Sequence, residues 1–249
     1  MKAIILAAGY ATRLYPLTRD FPKPLLVIGD RSILDSLVDQ LTQIDGLREI
    51  ILVSNSRFLA HFRRWSGASP RAIPVRLLDD GSTCNEDRLG ALGDLRIALE
   101  HAGHDDDVLV SAADNILQFQ LTEFVASFQA RRACQIGVHR ITDPARLRRT
   151  GIAVLGEGDR VMEFAEKPRE PKTHWAVPPL YIFSRESLPR IRARLLAGGP
   201  TDAPGHLIEW LCGEMPVFAH RIQGTILDIG TPESLDAARR SFRRHGRNP

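Results

Sequence analysis

Leu6-Ala7-Ala8-Gly9-Tyr10-Ala11-Thr12-Arg13-Leu14 closes the short apolar run that begins at Ala3, close to the start of a 249-residue chain. An apolar run of that length ending in glycine reads as a buried strand entering a loop. Up to its arginine the loop is built mostly of small residues. Small side chains let backbone N–H groups approach an anion closely, and the Arg13 guanidinium adds a fork of donors suited to phosphate oxygens. Leu6, Ala7, Ala8 and Gly9 are therefore candidate phosphate-cradling residues. The segment lacks both the three spaced glycines of the dinucleotide fingerprint and the Gly-Lys-Ser/Thr of a Walker loop. A dinucleotide-dependent oxidoreductase is disfavoured on that ground.

The chain continues, after Tyr15, with Pro16-Leu17-Thr18-Arg19-Asp20-Phe21-Pro22-Lys23-Pro24-Leu25. Two prolines flank Lys23 and are expected to clamp it in a fixed, extended backbone. A compact ammonium held rigidly suits a phosphate undergoing substitution.

Working outward, helical spacing over 33–44 and 89–100 alternates with apolar, β-branched runs at Glu49–Ser54, Val75–Leu78 and Val108–Ala112, and Arg57–Trp65 also reads as helical. This alternation predicts an open α/β fold with a mainly parallel central sheet flanked by helices. Ligands of such sheets lie beyond the carboxyl ends of the strands, where Gly9 and Asp114 both fall. Past residue 130 the pattern loosens. Strands are expected at Ala133–Arg140, Ile152–Val154 and Leu180–Ser184, a proline-rich link at Lys167–Pro179, and helices at Leu188–Leu196, His206–Leu211 and Pro232–Arg243. Residues 243–249 read as a frayed basic tail.

Composition narrows the function classes. Thirty-three basic against 30 acidic residues, a net charge of +3, give no field strong enough for capturing nucleic acid or a membrane. Small anionic substrates remain compatible. No run of about 18 apolar residues offers a membrane span, and the N-terminus lacks a signal-peptide pattern, so a cytoplasmic protein is expected. Cys84, Cys134 and Cys212 are far apart and without metal-ligand spacing.

Leu6–Arg13 together with Pro22-Lys23-Pro24 resembles the signature of the sugar-phosphate nucleotidylyltransferases, enzymes similar to glucose-1-phosphate thymidylyltransferase. The chain departs from that pattern at Ala11, where glycine is common. The resemblance implies a metal-binding aspartate at the end of a central strand, which Asp114 supplies. It implies Glu166-Lys167-Pro168 as the acceptor site, lysine on the phosphate and glutamate on sugar hydroxyls, with Gly151 meeting the sugar through its backbone. A second metal ligand is expected at Asp228 in Ile226-Leu227-Asp228-Ile229-Gly230, and a base-reading segment over 80–90, with Asn85 and Gly90 as the nearest counterparts. These elements run from Leu6 to Pro232.

The resemblance also implies a Rossmann-like sheet with a smaller acceptor-binding subregion. One domain is expected over 1–249: residues 1–130 for the nucleotide, 131–232 for the acceptor, and 233–249 as a C-terminal helix and basic tail. The left-handed β-helix domain of the larger relatives is not expected. Relatives often form dimers or tetramers, so a homo-oligomer is compatible with the resemblance.

The expected partners are a nucleoside triphosphate, a small phosphorylated acceptor and Mg²⁺, with a phosphate oxygen of the acceptor attacking the α-phosphorus in line. Arg13 would hold the leaving phosphates, Lys23 the α-phosphorus centre, Lys167 the nucleophile, and Asp114 and Asp228 the metal. Two alternatives stay open. Ala176-Val177-Pro178-Pro179-Leu180 replaces a glycine-rich sugar contact, which motivates a cytidylyltransferase acting on a non-sugar phosphate or phosphonate. A catalytically silent nucleotide-binding regulator is the other.

Overall fold

Ile4 and Ile5 are neighbours in the chain and both fully buried, yet they belong to two different apolar cores. Successive strand residues point to opposite faces, so this is a strand covered on both sides. The computed structural model describes residues 1–68, 71–199 and 202–245. In chain order its strands are β1 (Lys2–Leu6), β2 (Val27–Ile28), β3 (Arg31–Ser32), β4 (Glu49–Ser54), β5 (Val75–Asp79), β6 (Val108–Ala112), β7 (Asn115–Gln118), β8 (Cys134–Arg140), β9 (Gly151–Leu155), β10 (Val161–Glu166), β11 (Trp175–Val177), β12 (Leu180–Phe183), β13 (Val217–Arg221) and β14 (Thr225–Asp228). The α-helices are α1 (Ile33–Thr42), α2 (Leu59–Gly67), α3 (Gly90–Ala102), α4 (Leu121–Arg131), α5 (Pro144–Leu147), α6 (Leu188–Leu196), α7 (Gly205–Glu214) and α8 (Pro232–His245).

The large sheet has the order β10-β9-β11-β8-β12-β6-β1-β4-β5, with β13 pairing β8. Strands β5, β4, β1 and β6 are mutually parallel, the parallel α/β arrangement expected from the alternation. Beyond β6 the sheet is mixed: β12 runs antiparallel to β6 and β8, and β11, β9 and β10 continue antiparallel. On one face Ile5 packs with Leu34 of α1, Phe62 of α2 and Phe124 and Phe128 of α4; on the other Ile4 packs with Leu95 of α3, Ile191 of α6 and Ile208 of α7. Each such side chain fully removed from water contributes about 1.5–3 kcal/mol. Helix α1 starts where Ser32 Oγ accepts the Asp35 N–H at 3.0 Å, a side-chain cap.

Several expectations need correction. Lys23 is not extended: Pro22 is, but Lys23 opens a 3₁₀ turn, Lys23–Leu25, in which Pro24 occupies an early position where its missing N–H is not needed. The stretch 167–179 is not all link, because Trp175–Val177 adds to the sheet between β8 and β9. Helix α4 is an addition to the expected elements, and Leu121, Phe124, Val125 and Phe128 fall on its buried face. Helix α8 continues to His245, through the start of the expected basic tail, and residues 246–249 lie outside the described residues. Among the described residues no helix is long and apolar enough to cross a membrane.

Candidate active site

Strand β1 connects through α1 to β4 on one side while β6 lies on its other side, so a crevice opens at their carboxyl ends, the position where doubly wound sheets hold ligands. The loop leaving β1 fills that crevice. Ala11 adopts a left-handed backbone, φ 48° and ψ 43°, which tips the chain into the 3₁₀ turn Thr12–Leu14. Buried Thr18 donates its hydroxyl to the Ala11 carbonyl at 2.8 Å, and buried Asn55, just past β4, donates its amide to the Ala8 carbonyl at 2.8 Å. The loop is thus tied from two sides, with its small residues lining a cleft of about 500 Å³.

Leu6, Ala7, Ala8, Gly9, Arg13, Lys23, Asn85, Gly90 and Asp114 all line this cleft. Lys23 is only 6% exposed, and its ammonium donates to Asp114 Oδ2 at 3.2 Å. Arg13 is exposed and makes no hydrogen bond or ion pair among the described residues, which leaves its fork free for an anion.

Asp228 is brought to Asp114 by a two-stranded ladder. β7 begins at the residue after Asp114, and its Asn115 pairs in register with Asp228 of β14. The Ile229 N–H then reaches the Asp114 carbonyl at 3.4 Å. Gly230 completes the corner: a Cβ there would stand 3.2 Å from Asp228 Oδ1 and 3.3 Å from Arg13 Nη2. Arg13, Lys23, Asp114 and Asp228 therefore converge where the first cleft opens into a second of about 700 Å³.

Gly151, Glu166, Lys167 and Asp228 line that second cleft. Glu166 ends β10 opposite Gly151, which begins β9. Burial raises the Glu166 carboxyl above its ordinary value, against the opposing pull of Lys167, whose ammonium lies 3.7 Å from Oε1. Two glycines make room for it. A Cβ on Gly205, at the start of α7, would fall 1.8 Å from Glu166 Oε2, and one on Gly151 would fall 2.4 Å from Phe164 Cζ. Lys167 has φ 49°, a left-handed backbone disfavoured for a residue with a Cβ and ahead of proline, and its N–H donates to the Thr150 carbonyl at 3.2 Å. Local strain of this sort persists where the surroundings hold a side chain in one place.

Several lining residues were not singled out from the sequence. Asp80 and Asp94 are both buried at the wall of the first cleft. Burial, then the charge of Asp80, lifts the Asp94 carboxyl to about 7. The readable signal was an aspartate on the apolar stripe of α3, between Ala91 and Ala98. Arg88 Nη2 pairs with Asp202 at 3.2 Å, which ties the loop before α3 to the rim shared by both clefts. His139 and Arg146 line the second cleft, and burial, then Arg146, pushes His139 down to about 4. No spacing in the sequence joins these last pairs.

The arrangement can bind one polyphosphate and one small anionic partner and hold both at a shared centre. The family model for nucleotidyl transferases matches residues 2–244. The chain is 30% identical over 239 residues to the mannose-1-phosphate guanylyltransferase catalytic subunit beta of Danio rerio, an alignment covering 94% of this chain and 62% of that protein. It is 26% identical over 245 residues to the UTP–glucose-1-phosphate uridylyltransferase of Haloferax volcanii, covering 96% and 95% respectively. A UDP-glucose pyrophosphorylase from Acinetobacter baumannii shares the fold, with a TM-score of 0.80 at 19% identity over 99% of this chain and 94% of that one. With the fold, the two joined clefts and a family match across nearly its whole length in agreement, the chain belongs to the nucleotidyl transferase family.

Proposed function

We propose that the protein transfers a nucleotidyl group from a nucleoside triphosphate to a sugar 1-phosphate, releasing pyrophosphate and forming a nucleoside diphosphate sugar. The observation that carries this reading is the meeting of Arg13, Lys23, Asp114 and Asp228 at the junction of the two clefts. The relatives named above act, by their names, on mannose 1-phosphate and glucose 1-phosphate, which supports a sugar acceptor. A cytoplasmic setting follows from the nucleoside triphosphate it would draw on.

In this scheme an acceptor phosphate oxygen bonds to the α-phosphorus while the bond from that phosphorus to the β-phosphate's bridging oxygen breaks. The small-residue loop and Arg13 hold the β- and γ-phosphates that leave. Lys23, fixed by its 3₁₀ turn and by Asp114, faces the α-phosphate. Lys167 orients the attacking phosphate, and Glu166 and the Gly151 backbone hold the sugar. The acceptor phosphate is ionised near neutral pH, so no general base is required, and catalysis is positioning and charge neutralisation.

Asp114 and Asp228 fit Mg²⁺ by their chemistry. Among the described residues there is no cluster of three or more metal-ligating side chains, but Mg²⁺ is commonly held by one or two carboxylates together with substrate phosphates. Bound there, the metal would neutralise charge on the triphosphate. The reading is tested by pyrophosphate release over a matrix of five nucleoside triphosphates and several hexose 1-phosphates, with Mg²⁺ and with excess EDTA. Turnover for at least one pair, lost in EDTA, is expected; release in no combination would overturn the proposal.

A further inference from the structure

We infer that the acceptor sugar carries a second anionic group besides the phosphate that reacts, and that Arg146 and Arg149 bind it. The inference rests on the acceptor half of the function proposed above.

Both arginines lie in the connection from β8 to β9, residues 141–150, and both are exposed on the wall of the second cleft. That connection is anchored at its ends and in its middle. The Ile141 N–H donates to the His174 carbonyl at 3.0 Å, and at the other end the Thr150 hydroxyl donates to the Val177 carbonyl at 3.2 Å. Between them Asp143 caps α5 by accepting the Ala145 N–H at 2.8 Å, and Leu147 plugs into a small core with Ile141, Ile152 and Ala176. The Arg149 N–H donates to the Arg146 carbonyl at 3.0 Å, so the two cations leave a single fixed turn of chain.

Neither has a partner of its own. Arg148, between them, donates to the Arg169 carbonyl, but the side chains of Arg146 and Arg149 make no hydrogen bond or ion pair among the described residues. The carboxylates of the cleft are engaged elsewhere: Asp114 accepts from Lys23, Glu166 lies beside Lys167, Asp202 pairs with Arg88, and Asp228 is a proposed metal ligand. Burial, then the Arg146 charge, holds His139 below its ordinary value, which sets that guanidinium beside a ring of the cleft wall.

The reacting phosphate is not what they hold. It must meet the α-phosphorus where the clefts join, beside Arg13 and Asp114, which line both; Arg146 and Arg149 line only the second. Arg149 stands two residues before Gly151, and the Thr150 carbonyl between them accepts the Lys167 N–H, so these arginines border the place proposed for the sugar. A guanidinium fork matches the paired oxygens of a carboxylate or a phosphate. The group is therefore one of these two, carried elsewhere on the sugar.

The test compares kcat/KM for pyrophosphate release with glucose 1-phosphate, glucuronic acid 1-phosphate and glucose 1,6-bisphosphate, and with their mannose and galactose counterparts, for each nucleoside triphosphate. Calorimetry measures binding of the same sugars to the protein alone. At least one acceptor with a second anion is expected to exceed its neutral counterpart tenfold or more in kcat/KM and in affinity. Preference for the hexuronic acid alone identifies a carboxylate, and for the bisphosphate alone a phosphate. Arg146→Gln combined with Arg149→Gln should bring the ratio close to one, whereas Arg146→Lys with Arg149→Lys should keep part of it because the charge remains. A wild-type ratio of one or less for every pair, or a ratio that the two glutamines leave undiminished, overturns the inference. Turnover of neutral hexose 1-phosphates without any such preference sinks this reading alone; an affinity ratio that the glutamines abolish, without pyrophosphate release, sinks the transfer reading alone.

Discussion

Lys23 Nζ lies 3.2 Å from Asp114 Oδ2, and the pair is lopsided: the lysine side chain is 7% exposed and the aspartate 46%. Removing each partner should therefore have different consequences. Lys23→Met takes away a buried charge and leaves a carboxylate that water can reach, so stability should stay within about 1 kcal/mol while kcat falls by about 10²–10³-fold. Asp114→Ala strands a buried ammonium and should lose activity and also about 2 kcal/mol of stability. Urea denaturation and single-turnover rates on both variants check this. Near wild-type turnover in Lys23→Met would remove Lys23 from the reaction centre.

Gly151 and Gly205 both make room around Glu166, but what a methyl would strike differs. At Gly205 it meets the end of the Glu166 carboxylate, which can swing away; at Gly151 it meets the ring of Phe164, which is buried and held by its neighbours. Gly205→Ala should leave thermal stability nearly intact and raise KM for the acceptor about tenfold by turning the carboxylate aside. Gly151→Ala should lower stability by about 1–3 kcal/mol through overpacking. Melting curves and acceptor saturation kinetics separate the two, and the same profile for both substitutions would refute the distinction.

Ala11 is the position where the chain departs from the glycine common in similar loops, and it stands at φ 48°. A Cβ in the left-handed region costs roughly 1–2 kcal/mol, partly offset because glycine adds freedom to the unfolded chain. Ala11→Gly should stabilise the protein by about 0.5–1 kcal/mol, a rise in melting temperature of about 1–4 °C. A lower melting temperature would mean that the methyl packs usefully.

The parallel half of the sheet was legible because β1, β4 and β6 are buried on both faces and therefore read as unbroken apolar runs. That the small-residue loop and Lys23 line one cleft could be read because they are close together in the chain. β7 and β14 were not legible, since each is four residues long and exists only through pairing with the other. That ladder is what sets Asp228 beside Asp114, so their proximity came from resemblance and not from pattern. Asp94 lay within reach of the sequence as a charge on the apolar stripe of α3. Its neighbour Asp80 could be known only from the fold, because bringing the two together depends on how α3 packs across β1 and β4, beside β5.

Asp94 also gives a pH signature that is independent of catalysis. Burial, then the charge of Asp80, lifts its carboxyl from the ordinary 3.8 to about 7 in the folded protein. Between those values the folded state keeps a proton that the unfolded chain has released. This group's contribution is therefore fully present below about pH 4 and is lost as the pH rises to about 7, with no further change above. Asp94→Asn keeps the size and polarity of the side chain but cannot ionise. Its stability should lack that decline and exceed the wild type at pH 8 by about 1–3 kcal/mol, while the two proteins converge near pH 4. Urea unfolding at unit steps from pH 4 to pH 8 follows the difference directly. Parallel stability curves for the two proteins would show that Asp94 is already ionised in the folded state, and a variant less stable than wild type at pH 8 would show that the charged pair is held by partners other than its own proton.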